Sequence, residues 1–237
     1  MKRAALSLLL ICLLLSGCAR PAAVSATVES APVPAAETPR ESLASPAEPL
    51  RLTRDVRPLG EGYVVYPRAE GSRAEEINEA LYQAVASAAA GLEQAIFTDY
   101  RIEHNADGIY SVLLYVRDFN TDELLFLLPL NFSTRTGGLY ALSDLFPGED
   151  QGWRFLISEL AGRYAEEAGI TLLSGLLPAA ADQAFYITSG DIVLTYRLYE
   201  VATYGAGCPE LRVSLHALAD YITEESPLYR VMEGSGV

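Results

Sequence analysis

The sequence predicts an α+β protein: a mainly antiparallel sheet with two principal helices packed on it, in two unequal halves. Three observations lead there. Short apolar runs, alternating or apolar throughout, come in sets joined by tight-turn signals, which is the layout of hairpins. Two longer stretches repeat their apolar residues at helical spacing instead. Half of the 237 residues are hydrophobic and a fifth are charged, which is enough apolar material for a real core.

The first segment reads as an address. Lys2 and Arg3 precede the apolar run Ala4 to Leu15, and Arg20 closes it. The run is shorter than the roughly 20 residues a membrane span needs and has the layout of a secretory signal. Leu15-Ser16-Gly17-Cys18 resembles a bacterial lipobox, whose cysteine is lipidated after cleavage. Loss of residues 1–17 would leave 220 residues with 15 basic and 31 acidic side chains, held to a membrane through Cys18. Several acyl chains on one cysteine give stable anchoring. Residues 18–50 then read as a disordered linker: Ala19 to Leu50 has six of the 13 prolines and no aromatic residue. Such a segment buries too little apolar area to offset its ordering entropy. As a coil it spans about 30 Å; fully extended, about 100 Å.

The fold is expected from residue 51 onward, in halves 51–147 and 148–237. Gly62 to Tyr66 reads as a strand. Ser72-Arg73-Ala74-Glu75 fits a capping box for a helix whose stripe is Ile77, Leu81, Ala84, Val85, Ala88, Leu92 and Ile96. Phe97 to Asn105 alternates, with Tyr100, Ile102 and His104 in phase. Asn105-Ala106-Asp107-Gly108 signals a turn into a second strand, Ile109 to Arg117, which is apolar on both faces and therefore central. Leu124 to Phe132 is a third strand, Thr136-Gly137-Gly138 a turn, and Leu142 to Phe146 a short segment. The second helix spans Gly152 to Ala168, with Trp153, Leu156, Ile157, Leu160 and Tyr164 on its stripe and Gly169 as its stop. Phe185 to Thr188 and Ile192 to Leu198 form a hairpin, and Leu211, Val213 and Leu215 mark a last strand. Whether the halves share one sheet is left open.

Composition excludes several functions. With 31 acids against 17 bases the chain carries a formal charge of −14, the wrong sign for nucleic acid or an anionic lipid surface. Two histidines, His104 and His216, and three cysteines leave little for a transition-metal site. Gly205-Ala206-Gly207 lacks the third glycine and the helix of a dinucleotide fingerprint, so no cofactor is expected. The acidic pairs Glu75-Glu76, Glu166-Glu167 and Glu224-Glu225 read as solvated surface. Cys208 has no thiol partner once Cys18 is lipidated. The sequence shows no cation or helix N-terminus to activate it beside His216, so a semi-buried thiol is expected.

Phe185-Tyr186-Ile187-Thr188, Gly190, Ile192-Val193-Leu194, Tyr196 and the run from Tyr199 to Gly207 resemble the signature of the RsiV-like family, domain of unknown function 3298. Tyr66-Pro67, Ile77-Asn78, the hairpin from Tyr100 to Leu113 and Leu142 to Phe146 are similar to the partner domain that precedes it, domain of unknown function 4163. Such domains occur outside the cytoplasmic membrane, in lysozyme-responsive anti-sigma factors, beside peptidoglycan deacetylase domains and in lipid-anchored proteins. The resemblance implies an extracytoplasmic binding or sensing module rather than an enzyme. The partner it implies is a basic, lysozyme-like protein or cell-wall glycan. An envelope hydrolase acting on peptidoglycan or another glycan is the alternative. The chain departs from the pattern at Asn120-Thr121-Asp122-Glu123, where many relatives carry a Gly-Gly-Ala-His turn. It also shows no membrane span with a cytoplasmic segment to hold a sigma factor. The candidate binding loop is Tyr196, Tyr199, Glu200, Tyr204, Gly205 and Gly207, because tyrosines on a rigid loop suit glycan or protein contact.

Overall fold

Four layers stack in the order helix, sheet, sheet, helix. A computed structural model describes residues 47–234. The signal, the lipobox with Cys18 and most of the linker lie outside the described residues. The larger sheet has five strands in sequence order: β1 (Arg51–Leu59), β2 (Gly62–Glu70), β3 (Ile96–Ala106), β4 (Ile109–Asp118) and β5 (Leu124–Ser133). The smaller sheet contains β6 (Phe185–Ile187), β7 (Asp191–Thr195) and β8 (Glu210–Ser214). The fold is α+β and mostly antiparallel, with two separate sheets.

One strand pair breaks the antiparallel rule. Helix α1 (Ala74–Ala89) carries the chain from β2 to β3, which therefore run parallel. Gly62 permits their close approach, since a Cβ there would stand 1.8 Å from the Ile96 carbonyl oxygen. Thr98 reinforces the pair: its buried hydroxyl accepts from Val65 N at 2.9 Å and donates to Val65 O at 2.7 Å. Asn78 ties α1 back to β2 through both the N–H and the carbonyl of Ala69.

Strand faces explain the layering. Tyr110, Val112, Leu114 and Val116 of β4 pack with Ile77, Leu81 and Val85 of α1. The opposite face of β4 and β5 presents Leu113 and Leu127 to Tyr186 and Val193 of the smaller sheet. Ile187, Ile192, Leu194 and Val213 on that sheet's far side then meet Trp153, Ile157 and Ala161 of α2 (Gly152–Glu167). Both faces of β4 are thus buried, as its unbroken apolar run requires. Arg101 stitches the sheets at their margin, bonding Glu103 and reaching Tyr186 Oη and Glu210, each at 3.3 Å.

Several expectations need correction. β1 has no alternation in its sequence, with three arginines and a proline, a composition suited to an edge. Helix α1 has no capping box: Arg73 precedes it at φ 82° without a side-chain cap, and Glu75 and Glu76 supply favourable charge to its first turn instead. The helix stops at Ala89, and Ile96 opens β3 rather than closing the helix. A bulge between Ile102 and His104 ends the alternation of β3 and leaves Ile102 exposed while His104 is buried. The return strand β7 ends at Thr195, not Leu198. A 3-10 segment (Leu215–Tyr221) and a short helix, α3 (Tyr229–Gly234), were not foreseen.

Candidate functional site

The segment from Tyr196 to Pro209 leaves β7 and returns to β8 as a closed loop. Tyr196 N donates to Pro209 O at 3.2 Å and forms the neck. Arg197 and Glu200 then make a tight turn: Arg197 N donates to Glu200 Oε2 at 2.7 Å, and Glu200 N to Arg197 O at 3.1 Å. This turn holds Tyr199 at φ 65°, a left-handed conformation that a bulky residue seldom adopts. Beyond it the loop is laced to the segment before β6. Leu173 N donates to Val201 O and Thr203 N to Thr171 O, and Leu172 bridges Ala202. A short 3-10 turn, Tyr204–Ala206, closes on Gly207 at φ 64°, where only glycine fits readily.

The result is a pair of tyrosines fixed side by side in solvent. The Tyr199 and Tyr204 rings lie 5.6 Å apart at 37°. They are 59% and 60% exposed. Leu173 and Leu198, on the same two laced segments, are also exposed. Local backbone strain persists only where the surroundings over-determine it, and here it turns an aromatic ring outward.

The six residues named from sequence therefore divide. Tyr199 and Tyr204 are brought together at the surface. Tyr196 turns the other way: it is buried in the core beside α2, and desolvation pushes its hydroxyl up to about 12. Glu200 spends its carboxylate inside the turn. Gly207 sets the backbone, whereas Gly205 has neither positive φ nor a close neighbour to require it. The loop wraps the margin of β5, with the Arg197 guanidinium 5.1 Å from the centre of the Phe126 ring.

Cys208 packs with Leu113, Leu127, Tyr186 and Val193, and burial pushes its thiol up. A raised thiol is less of a nucleophile at neutral pH. His216 lies exposed in the 3-10 segment after β8. His104 is a core-edge residue; burial pushes its imidazole pKa down, and the nearby Asp107 partly offsets this. The turn at Asn120 to Glu123 is organised by Asp118, whose Oδ1 accepts from Asn120 N at 2.8 Å and Thr121 N at 2.9 Å. Among the described residues, no group of three His, Cys, Asp or Glu side chains is placed to hold a metal ion.

One signal in the sequence went unread. Phe155 lies off the apolar stripe of α2, and the structure exposes it, together with Leu177. Phe155 borders a shallow surface between α2 and the following loop, with Leu176 and Pro178.

Residues 155–216 match the family model described as "Protein of unknown function (DUF3298)". That span runs from within α2 through the laced loops and β8 to the start of the 3-10 segment that follows. A DUF3298 family protein from Pseudomonas aeruginosa PAO1 shares the fold, with a TM-score of 0.53 and 15% identity over 75% of this chain and 96% of that one. A DUF3298 family member from Bacteroides fragilis NCTC 9343 does so with a TM-score of 0.52 and 10% identity, over 78% of this chain and 96% of that one. No curated protein matches the chain. The chain carries a DUF3298 domain at residues 155–216, set in a fold it shares with solved structures of that family.

Proposed function

We propose that the chain is a lipid-anchored protein of the bacterial envelope whose DUF3298 domain binds a basic extracytoplasmic protein of the lysozyme kind. Its recognition tip is the pair Tyr199 and Tyr204. In this reading the fold is RsiV-like, with residues 51–147 as the 4163-like half. The observation that carries the proposal is the tyrosine pair itself: two aromatic rings held outward on a strained, hydrogen-bonded loop, with Leu173 and Leu198 on the segments that brace it. Rigid tyrosines give large contact area at low entropic cost, which is why they recur at binding hot spots.

The tyrosine loop and the first described residues are well separated on the larger sheet. Leu50 is pinned to Asn105 by two hydrogen bonds of 2.9 Å, at the end of β3 that turns into β4. The tyrosine loop lies towards the other end of β4 and β5, where Arg197 meets Phe126 and Cys208 meets Leu127. A ten-residue strand spans about 30 Å, so the start of β1 and the tyrosine loop lie towards opposite ends of the larger sheet. The net charge of −14 would steer a basic partner at low salt.

Calorimetry of the full chain with a lysozyme tests this. Heat at low salt that weakens as salt rises is expected, and Tyr199→Ala or Tyr204→Ala should cost at least about tenfold in affinity. No heat at low salt would sink the reading. Salt-independent heat from a neutral chito-oligosaccharide instead would make the ligand a cell-wall glycan.

A further inference from the structure

Helix α2 is an outer layer of the stack, and its outward face carries apolar surface. Trp153, Ile157, Ala161 and Ala165 turn inward. Phe155 stands on the opposite side at 65% exposure, and Leu177 beside the helix is 84% exposed. The loop after α2 is bound back along it: Ser158 Oγ donates to Leu177 O at 2.7 Å, and Ala179 N to Arg154 O at 3.1 Å. Between helix and loop runs an open groove of about 410 Å³, lined by Phe155, Ser158, Glu159, Gly162, Leu176 and Pro178. At Gly162 the groove has a gap, since a Cβ there would meet nothing within 4 Å.

Two features of this face are self-complementary. Phe155 and Gly162 are about two helical turns apart, roughly 10 Å, so a projecting ring and a gap share one stripe. A second α2 laid antiparallel, across a two-fold axis between residues 158 and 159, sets Phe155 of each copy over Gly162 of the other. An apolar cavity of about 150 Å³ already holds a benzene ring, so the groove has room for it. The second feature is charge. Helix α2 has Glu166 and Glu167 at its C-terminal end, no base in its last turn and no acid in its first. That is the reverse of what the helix dipole favours. The same antiparallel pairing brings Glu166 against the positive start of the other α2, and so supplies each helix end with the charge it lacks. Glu159, near the axis, is paired with Arg163 of its own copy.

We propose that this face binds a second copy of the chain, as a two-fold pair with α2 against α2. A two-fold interface uses the same patch on both sides, and the spacing of Phe155 and Gly162 provides that. The 16-residue helix and the loop beside it offer a footprint of about 24 Å by 20 Å, roughly 500 Å² on each copy. The pair covers about 1,000 Å², the lower bound for a specific contact, so the dimer is a reversible one. An anionic lipid surface would instead face Glu159, Glu166 and Glu167 and make no use of the stripe. The proposal is independent of the tyrosine tip and of its partner.

Light scattering and disulfide trapping test this on the full chain carrying Cys18→Ser, so that no acyl chain drives association. This parent should scatter as two chains at high concentration and as one on dilution. Phe155→Glu, and Gly162→Leu, which fills the gap, should each weaken association at least tenfold. Leucine favours a helix over glycine, so Gly162→Leu should also raise the melting temperature, and its loss of pairing would not reflect a lost fold. Residue 159 lies next to its counterpart across the axis, whereas residue 167 lies about 25 Å from its own. Mild oxidation should therefore join copies of Glu159→Cys and leave Glu167→Cys at the background of the parent. A single-chain mass at every concentration would overturn the proposal and leave the groove to an unlike partner. A dimer that survives Phe155→Glu, or that is trapped equally at both positions, would overturn it by placing the contact on another face.

Discussion

Asn131 of β5 donates a 2.7 Å hydrogen bond from Nδ2 to the carbonyl oxygen of Phe185 on β6. Its Oδ1 accepts from Ser111 Oγ at 2.7 Å, and that hydroxyl accepts in turn from Ile187 N at 3.0 Å. Two side chains on the face of one sheet thus satisfy the free edge of the other. Asn131→Leu would leave the Phe185 carbonyl and the proton of the Ser111 hydroxyl without a partner in a buried seam. At about 1–3 kcal/mol per stranded group, a loss of roughly 2–4 kcal/mol is expected. Urea denaturation measures it, and a loss below about 0.5 kcal/mol would mean that the seam is not dry.

The Arg101 cluster should show non-additivity. The Glu103 side chain is 9% exposed, and desolvation pushes its carboxyl up even beside its partner. Arg101→Met would leave that carboxylate without its cation. Because the Arg101 side chain is itself 46% exposed, solvent tempers the cost, and about 2 kcal/mol is expected rather than the larger figure for a fully buried pair. Arg101→Met with Glu103→Gln should recover at least half of the loss. A double variant as unstable as the single one would show that the arginine acts by packing alone.

Glycine identity should matter at Gly207 and not at Gly205. Gly207→Ala forces a Cβ into φ 64° and ψ −136°, with an expected cost of about 1–3 kcal/mol. Gly205→Ala has open space and ordinary φ, so its effect should stay within about 0.5 kcal/mol. Tyr199→Gly makes a third comparison: it relieves the strain at φ 65°, so thermal stability should hold or rise slightly while binding by the tip falls.

His104 gives the fold an acid-sensitive contact. Burial lowers its pKa below the ordinary 6.5. Between the unfolded and folded values the unfolded chain therefore binds more protons, so stability falls as pH drops below about 6.5. Asp107 opposes this shift in part but does not reverse it. His104→Phe should flatten this limb. Melting curves from pH 7.5 to 5 with parallel slopes for the two proteins would refute the assignment.

Cys208 should react slowly. Its thiol is half-buried and pushed up, so alkylation by iodoacetamide at pH 7.5 should be at least about tenfold slower than for free cysteine. Urea should restore the rate. Fast modification of the folded chain would show the side chain to be accessible.

The amino-acid sequence by itself determined where most elements run. The turn at Asn105 to Gly108, the two-sided burial of β4 and the stripe of α2 all follow from spacing and turn chemistry. These report which side of a local element is buried. The edge strand β1 escaped because its arginines and proline carry no period, and Ile96 was misread because one buried residue fits a helix stripe or a strand end equally well. Only the tertiary structure decided which elements are neighbours: the parallel β2–β3 pair, the division into two sheets and the inward turn of Tyr196. Neighbours so distant along the chain meet only when whole layers stack, and the burial that drives stacking is non-directional and leaves no mark in the local pattern of either partner.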